Sequence, residues 1–314
     1  MLSRIPFLLF FIATIYCHSQ TQRIDEFGKP SRQELDLKKY EAEPEASGVI
    51  LYESGNYYAA SSTTYNAVRL VKEIHRKIKV LNAKTFDYAT VEIPFHNGNR
   101  WSGEEVLDYK AVTHNGSIKT FVPESAFYTT QNSKVEKALK FTFPNIKDGS
   151  ILEYRYSIVS PYFYDLSGWE FQHELPTVYS YFQTALPDNF KYNQILYGNK
   201  KLDISTFFVK EKGFLLPTNS EHINLEVRKY AMHNISSFTE EDYMLAKKNY
   251  ISRVVYEPLE FKSFYGNREV RIFTRNWKDV DERFKNDEDF GEQLTMKNYF
   301  RRKLPTELLK IEGN

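Results

Sequence analysis

The sequence predicts a mainly β chain, two successive β regions closed by short helices, and three observations carry that prediction. Apolar and polar residues alternate at period two through most of the chain, the pattern of half-buried strands. Turn pairs such as Asn97-Gly98, Asn115-Gly116, Asp148-Gly149, Gly198-Asn199, Lys212-Gly213 and Gly266-Asn267 punctuate the alternation at strand spacing. Aromatic residues make up 16% of the chain, with Tyr and Phe dominating, a composition that suits strands better than helices. At 314 residues the chain can bury a core without covalent staples.

In chain order, residues 1–19 read as a secretory signal peptide. Arg4 is the positive n-region, Ile5 to Tyr16 is an apolar run too short to span a bilayer, and Cys17 and Ser19 are small residues at −3 and −1 of a cut before Gln20. Thr14, Ile15 and Tyr16 do not make a lipobox, so free export is expected rather than a lipid anchor. Residues 20–48 are rich in Lys, Asp and Glu, contain Pro30 and Pro44 and show no apolar period, which reads as a tether or loosely packed arm.

Residues 49–165 read as a β-sandwich. Val49 to Tyr52, Val68 to Leu81 with its apolar residues on the parity of Val68, Leu70, Ile74, Ile78 and Val80, Phe86 to Phe95, Val106 to Thr113 and Ile118 to Val122 are strands. Asn115-Gly116 suits a type I′ turn between the last two. From Leu139 to Ser160 the alternation runs through Leu139, Phe141 and Phe143 and resumes at Leu152, Tyr154, Tyr156 and Ile158, which reads as a hairpin. Pro144 ends the first run, and Asp148 and Gly149 supply the reversal.

Residues 166–275 continue as a second β-rich region: Trp169 to Leu175, Val178 to Leu186, Phe190 to Tyr197, Leu202 to Val209, His222 to Met232, Ile251 to Phe261 and Arg271 to Thr274. Thr239 to Lys248 breaks the pattern as an expected short helix, with Thr239 as N-cap and acids in its first turn. Residues 276–314 change character. Trp277, Val280 and Phe284 fall at i, i+3 and i+7 behind an Asn276 cap, and Thr306 to Ile311 can form a helix after Pro305.

Composition excludes several kinds of function. The formal net charge is +1, and removal of a leader holding Arg4 and no acid would leave it balanced, so neither nucleic acid nor an acidic membrane surface is an expected partner. Cys17 is the single cysteine, so cleavage would leave no disulfide, thiolate metal site or cysteine nucleophile. His75, His96, His114, His173, His222 and His233 make no metal-binding spacing, and neither a metal nor a cofactor is expected. There is no G-x-S-x-G, P-loop or G-x-G-x-x-G.

Two features could still carry function. Tyr162, Phe163, Tyr164 and Trp169 crowd one turn-rich segment and could form an exposed platform for a sugar ring or a peptide. The structural reading, favoured here, is that they plug an end or seam of the sandwich. Glu153, Asp165, Glu170 and Glu174 could supply a glycosidase carboxylate pair, although Glu153 lies on the polar parity of its strand, where a solvated charge is expected.

Arg76 to Phe95 (RKIKVLNAKTFDYATVEIPF), Phe141 to Tyr156 (FTFPNIKDGSILEYRY) and Ser160-Pro161 leading to Trp169-Glu170-Phe171-Gln172 together resemble the domain of unknown function 3857. That domain occurs in exported bacterial proteins, usually ahead of a transglutaminase-like domain. The resemblance runs from about Val49 to about Leu259, and Asn234 to Met244 (NISSFTEEDYM) with the helix after Asn276 is similar to the lead-in towards the transglutaminase-like part. It implies an immunoglobulin-like β-sandwich followed by a second β domain, with Cys-His-Asp chemistry in a later domain that these 314 residues do not contain. No catalytic residue carries over. The expectation is a non-catalytic, periplasmic or extracellular accessory region that binds a protein, peptide or glycan at the cell envelope, with no membrane span after cleavage. The alternatives are a carbohydrate-binding module or weak glycosidase using Tyr162–Trp169 with Glu153 or Glu170, and a purely structural spacer.

Overall fold

A computed structural model describes residues 23–62, 64–216, 221–264, 270–273, 276–287 and 291. The expected leader with Cys17, the Gly266-Asn267 turn, Thr274 and the Thr306 to Ile311 helix lie outside these residues. The described elements are α1 (Arg32–Asp36), β1 (Gly48–Ser62), β2 (Ala67–Val80), β3 (Thr90–His96), β4 (Glu105–Asn115), β5 (Ile118–Phe121), β6 (Tyr128–Gln131), β7 (Glu136–Thr142), β8 (Ile151–Ser160), β9 (Trp169–Glu170), β10 (Thr177–Pro187), β11 (Phe190–Tyr197), β12 (Ile204–Leu215), β13 (His222–Ile235), β14 (Arg253–Lys262), β15 (Val270–Ile272) and α2 (Trp277–Lys285). The chain is mainly β, with short helices and several sheets, as the alternation predicts.

An eight-stranded sheet in the order β12-β13-β10-β1-β2-β8-β4-β5 forms the spine. Residues 49–165 supply five of its strands and residues 166–275 three, and the two sets meet where β1 pairs with β10 in parallel, Glu53 opposite Ser180. Two small sheets cover one face, called here the inner face. The sheet β3-β7-β6 packs Ile93, Leu139, Phe141 and Phe143 against Ile50, Ile78, Leu152 and Tyr154. The sheet formed by β11, β14, β15 and β9 packs Phe190, Val254 and Tyr256 against Tyr57, Ile74, Phe182 and Tyr230. Period-two alternation gives each strand one apolar side, and these layers are the way to bury it.

Several expectations are corrected. Leu139 to Ser160 is not a hairpin: β7 pairs with β3 and β6, whereas β8 pairs with β2 and β4. Pro144 to Gly149 carries the chain between sheets, with Asn145 and Gly149 at φ 55° and 82°, so Phe141 and Tyr154 face each other across one core, ring centroids 6.0 Å apart. Alternation reveals which side of a strand is buried, not which strand lies beside it. Asp148 accepts from the Ala83 amide at 2.7 Å, and the Gly149 amide donates to Val80 O at 2.9 Å, which fixes the crossing. The β4–β5 hairpin is present, but Asn115 pairs with Ile118, so the central turn residues are Gly116 and Ser117, and positive φ on Gly116 (66°) but not on Ser117 means the turn is not type I′. No α-helix forms over Thr239 to Lys248, only a 3-10 turn at Lys247–Asn249. A good cap cannot hold so short a helix without an apolar face to bury. The expected cap of α2 is present, Asn276 accepting from the Asp279 amide at 3.1 Å.

At Gly55 the first region comes close against Trp169 and Phe182 of the second. A Cβ there would lie 2.4 Å from the Trp169 ring and 3.1 Å from Phe182. Gly55→Ala should therefore destabilise the fold by about 1–3 kcal/mol through overpacking. A lowered denaturant midpoint at unchanged m-value would register it, and an unchanged midpoint would contradict this packing.

Candidate functional site

The N-terminal arm is not loose. It crosses the outer face of the central sheet, placing Leu35, Leu37 and Tyr40 on Val49, Leu51 and Ile151. Its short helix α1 carries a capping box: Glu34 N–H donates to Ser31 Oγ at 3.2 Å, and Ser31 N–H donates to Glu34 Oε2 at 2.6 Å. The same Glu34 reaches Lys77 on β2, which is 1% exposed and lies 2.7 Å from Asp25 and 3.4 Å from Glu34. Arg23 closes the group against Asp25 (2.8 Å) and Glu34 (2.7 Å), and Lys79 donates to Leu35 O at 2.7 Å. The polarity that made residues 20–48 look unstructured is what matches them to the charged side of β2.

Beside this group, β8 places Glu153 between two histidines. Its side chain is 0% exposed, and it accepts from His75 Nε2 at 2.8 Å, His114 Nε2 at 2.9 Å and the Gly28 amide at 3.0 Å. Gly28, at φ 79°, presents that amide while its carbonyl accepts from Lys119 Nζ at 2.7 Å. Burial alone would raise the Glu153 carboxyl, but the hydrogen bonds from His114 and His75 and the charges of His75 and Lys77 outweigh it and bring it down to about 2. The expectation of a solvated Glu153 is thus corrected: the arm seals the polar side of its strand. A carboxylate so firmly ionised and enclosed is a poor proton donor for a glycosidic oxygen.

Where the arm ends its crossing, a groove of about 810 Å³ opens between Asp25–Phe27 and strands β1, β2 and β8. Its floor carries Ser54, Asn56, Glu73, His75 and Arg155. A chain of hydrogen bonds orders it: Tyr181 O–H donates to Gln183 (2.8 Å), Gln183 to Asn56 (3.2 Å), and Asn56 to Glu73 (3.0 Å). Tyr58 O–H completes the chain, donating to the other Glu73 oxygen at 2.8 Å. Burial and Glu73 together push the Tyr58 hydroxyl up to about 12, so it remains a donor at neutral pH.

The inner face holds a second buried carboxylate, Glu53, at the seam between the two cores. Glu53 accepts from Ser180 Oγ at 2.6 Å, His173 Nε2 at 2.8 Å and Arg76 at 2.7 and 3.0 Å. Burial would raise its carboxyl, but the charges of His173 and Arg76, with the hydrogen bonds from His173 and Ser180, hold it below the ordinary range.

The aromatic segment lies at this seam and does not form an open platform. Trp169 is buried, stacks on Phe182 with centroids 5.5 Å apart and donates Nε1–H to Ser180 Oγ at 2.9 Å. Phe163 is buried against Phe190 at 4.6 Å. Tyr162 is half-buried, its hydroxyl donating to Ser102 O at 2.5 Å, and Tyr164, 53% exposed, is the outermost of the four. Of the other acids, Asp165 and Glu170 are exposed, and Glu174 accepts from Tyr88 and Lys247 at 2.9 and 2.8 Å. Among the described residues no group of three or more His, Cys, Asp or Glu side chains is arranged to hold a metal, and no described helix is long and apolar enough to cross a membrane.

Sequence reasoning passed over Glu53, Glu73, Lys77 and Arg155. One signal was available: Lys72 and Arg76 sit on the apolar parity of β2, and a cation there calls for a buried partner. A second was the opposite parity, Glu73, His75, Lys77 and Lys79, facing away from the core but downstream of an acid-rich arm.

No protein-family model matches the chain, and no curated protein matches it. Among solved structures, a "putative protease" from Parabacteroides distasonis aligns with TM-score 0.49 and 13% identity over 67% of this chain and 40% of its own. A "putative nutrient binding protein" from Legionella pneumophila aligns with TM-score 0.28 and 9% identity over 67% of each chain. Leukotriene A4 hydrolase from Saccharomyces cerevisiae aligns with TM-score 0.29 and 9% identity over 77% of this chain and 34% of its own. The chain thus spans well under two thirds of the first and third of these proteins, and the likenesses name no family for it.

Proposed function

We propose that this is an exported, non-catalytic β scaffold of the kind that resembles domain of unknown function 3857, an accessory region that binds and positions a partner for transglutaminase-like proteins at the cell envelope. The observation that carries the reading is the state of Glu153. Of the acids that could have driven hydrolysis, it is the one built into the protein, and it is consumed by His75, His114 and the Gly28 amide as a fastener for the arm. Support also comes from the cysteine count, since Cys17 lies within the expected leader. One groove open to a ligand has an ordered polar floor, which suits recognition.

The test is direct. The purified chain, freed of residues 1–19, is assayed for transamidase, peptidase and glycosidase turnover, with Glu170→Gln as the carboxylate control. No turnover above the buffer rate is expected. Sustained turnover of any one substrate class overturns the reading, and its loss in Glu170→Gln would assign the hydrolytic alternative.

A further inference from the structure

We propose that the groove beside the arm is a binding site for a dipeptide-sized zwitterion, with Glu73 receiving the ammonium group and Arg155 the carboxylate. This deepens the binding role proposed above and rests on it. Glu73 is a half-buried carboxylate fixed by two neutral donors, Asn56 Nδ2 at 3.0 Å and Tyr58 O–H at 2.8 Å. Among the described residues no Lys, Arg or His lies within ion-pair distance of it. Arg155 has its guanidinium 5.3 Å from the Phe27 ring centroid, and it too has no ion-pair partner among the described residues. Of the other acids in the lining, Asp25 is paired with Arg23 and Lys77 and Glu26 with Lys29, and Asp108 stands exposed on β4. That leaves Glu73 as the half-buried acid without an ion-pair partner, on the same side of the sheet as the exposed Arg155.

Their spacing follows from the register of β2 and β8. Glu73 lies opposite Ser157 and His75 opposite Arg155, so Glu73 and Arg155 are diagonal neighbours on one side of the sheet, with backbones roughly 7–8 Å apart. Both side chains line the same groove of about 810 Å³, within the size range of small-ligand sites. A lone cation would have no use for Arg155, and a lone anion would be repelled by Glu73. A molecule with an ammonium at one end and a carboxylate at the other satisfies both.

His75 adjoins both, opposite Arg155 and two residues beyond Glu73 on β2, and its part is also set by the structure. With Nε2 committed to Glu153 at 2.8 Å, its remaining hydrogen-bonding atom is Nδ1. The ring is braced by Tyr52 and Phe27, with centroids 5.3 and 5.9 Å away. A group so restrained suits the central amide of a peptide better than either terminus. The same chain of bonds that runs from Tyr181 through Gln183 and Asn56 fixes the side of the floor nearest Glu73. A site organised before its ligand arrives loses less entropy on binding.

The probe is alanyl-alanine, titrated calorimetrically into the purified chain beside N-acetyl-alanyl-alanine and alanyl-alanine amide. The free dipeptide is expected to bind at least tenfold more tightly than either capped form. Glu73→Gln should abolish the preference for the free amine and keep that for the free carboxylate, and Arg155→Gln should do the reverse. Both substitutions are conservative and lie outside the arm's ion network, and unchanged circular dichroism and melting confirm the fold of each variant. Absence of binding to folded wild-type chain at millimolar dipeptide overturns the assignment, as does binding indifferent to both substitutions. Release of free alanine would overturn the non-catalytic reading while leaving the site assigned. Silence in both measurements removes the site and leaves the accessory role standing.

Discussion

Glu53→Ala is expected to cost roughly 3–5 kcal/mol of folding free energy, the range for removing one partner of a buried ion pair. The side chain is 0% exposed, and its loss leaves the partly exposed Arg76 guanidinium and His173 ring and the buried Ser180 hydroxyl without their acceptor. Arg76 keeps 25% of its side chain exposed, so water offsets part of the loss and the lower end of that range is expected, while Ile74 and Ile78, its neighbours on the same side of β2, are packed into the two cores. Replacing the pair together, Glu53→Met with Arg76→Met, removes both charges and should recover most of the loss. Chemical denaturation of the two single variants and the double variant checks this. A double variant no more stable than Glu53→Ala would show that packing around the seam, and not the unmatched charge, sets the cost.

Glu153 should contribute a distinct share of the acid limb of the stability curve, beside Glu53 and Asp25, whose carboxyls also lie below their ordinary range. Its carboxyl titrates near 2 in the folded chain against an ordinary 4.5, so the folded state binds its proton less readily than the unfolded one. The contribution is therefore complete above the ordinary value and lost as pH falls from about 4.5 towards 2. At 1.36 kcal/mol for each pH unit between the two values, it amounts to about 3 kcal/mol. Glu153→Gln should lower stability at pH 7 by that order, because an amide must turn its NH₂ towards one of the donors that now meet a carboxylate. It should also flatten the loss between pH 4.5 and 2. Denaturation midpoints for both proteins from pH 7 to pH 2.5 give the comparison, and parallel curves would place the acid sensitivity elsewhere.

Strand positions were legible because alternation is a local property. Val68, Leu70, Ile74, Ile78 and Val80 share a parity in the sequence and a core-facing side in the structure. Neighbour relations were not legible. Phe143 and Leu152 sit in one core, yet their strands belong to different sheets, since six residues can either fold back as a turn or cross a core. The polar site was hidden for a related reason. On β2 and β8 the parity of His75, Lys77 and Glu153 looks like a wet surface until residues 23–40 are laid across it, and that arm has no periodicity by which to predict where it lies. Trp169 and Phe163 were legible as a group but not in role, because exposed platforms and buried plugs draw on the same residues.

Among the described residues β1 and β10 form the one parallel pair, and it joins Glu53 to Ser180 across 127 positions of chain. Contacts that distant form late, because the loop they close must give up its freedom before any burial repays it. The neighbouring pairs β1–β2 and β4–β5 are local and can assemble early, so refolding should be limited by the arrival of β10. During synthesis the ribosome delivers β1 and β2 well before residue 177 emerges, and throughout that interval β1 carries a bare row of amides and carbonyls open to any passing strand.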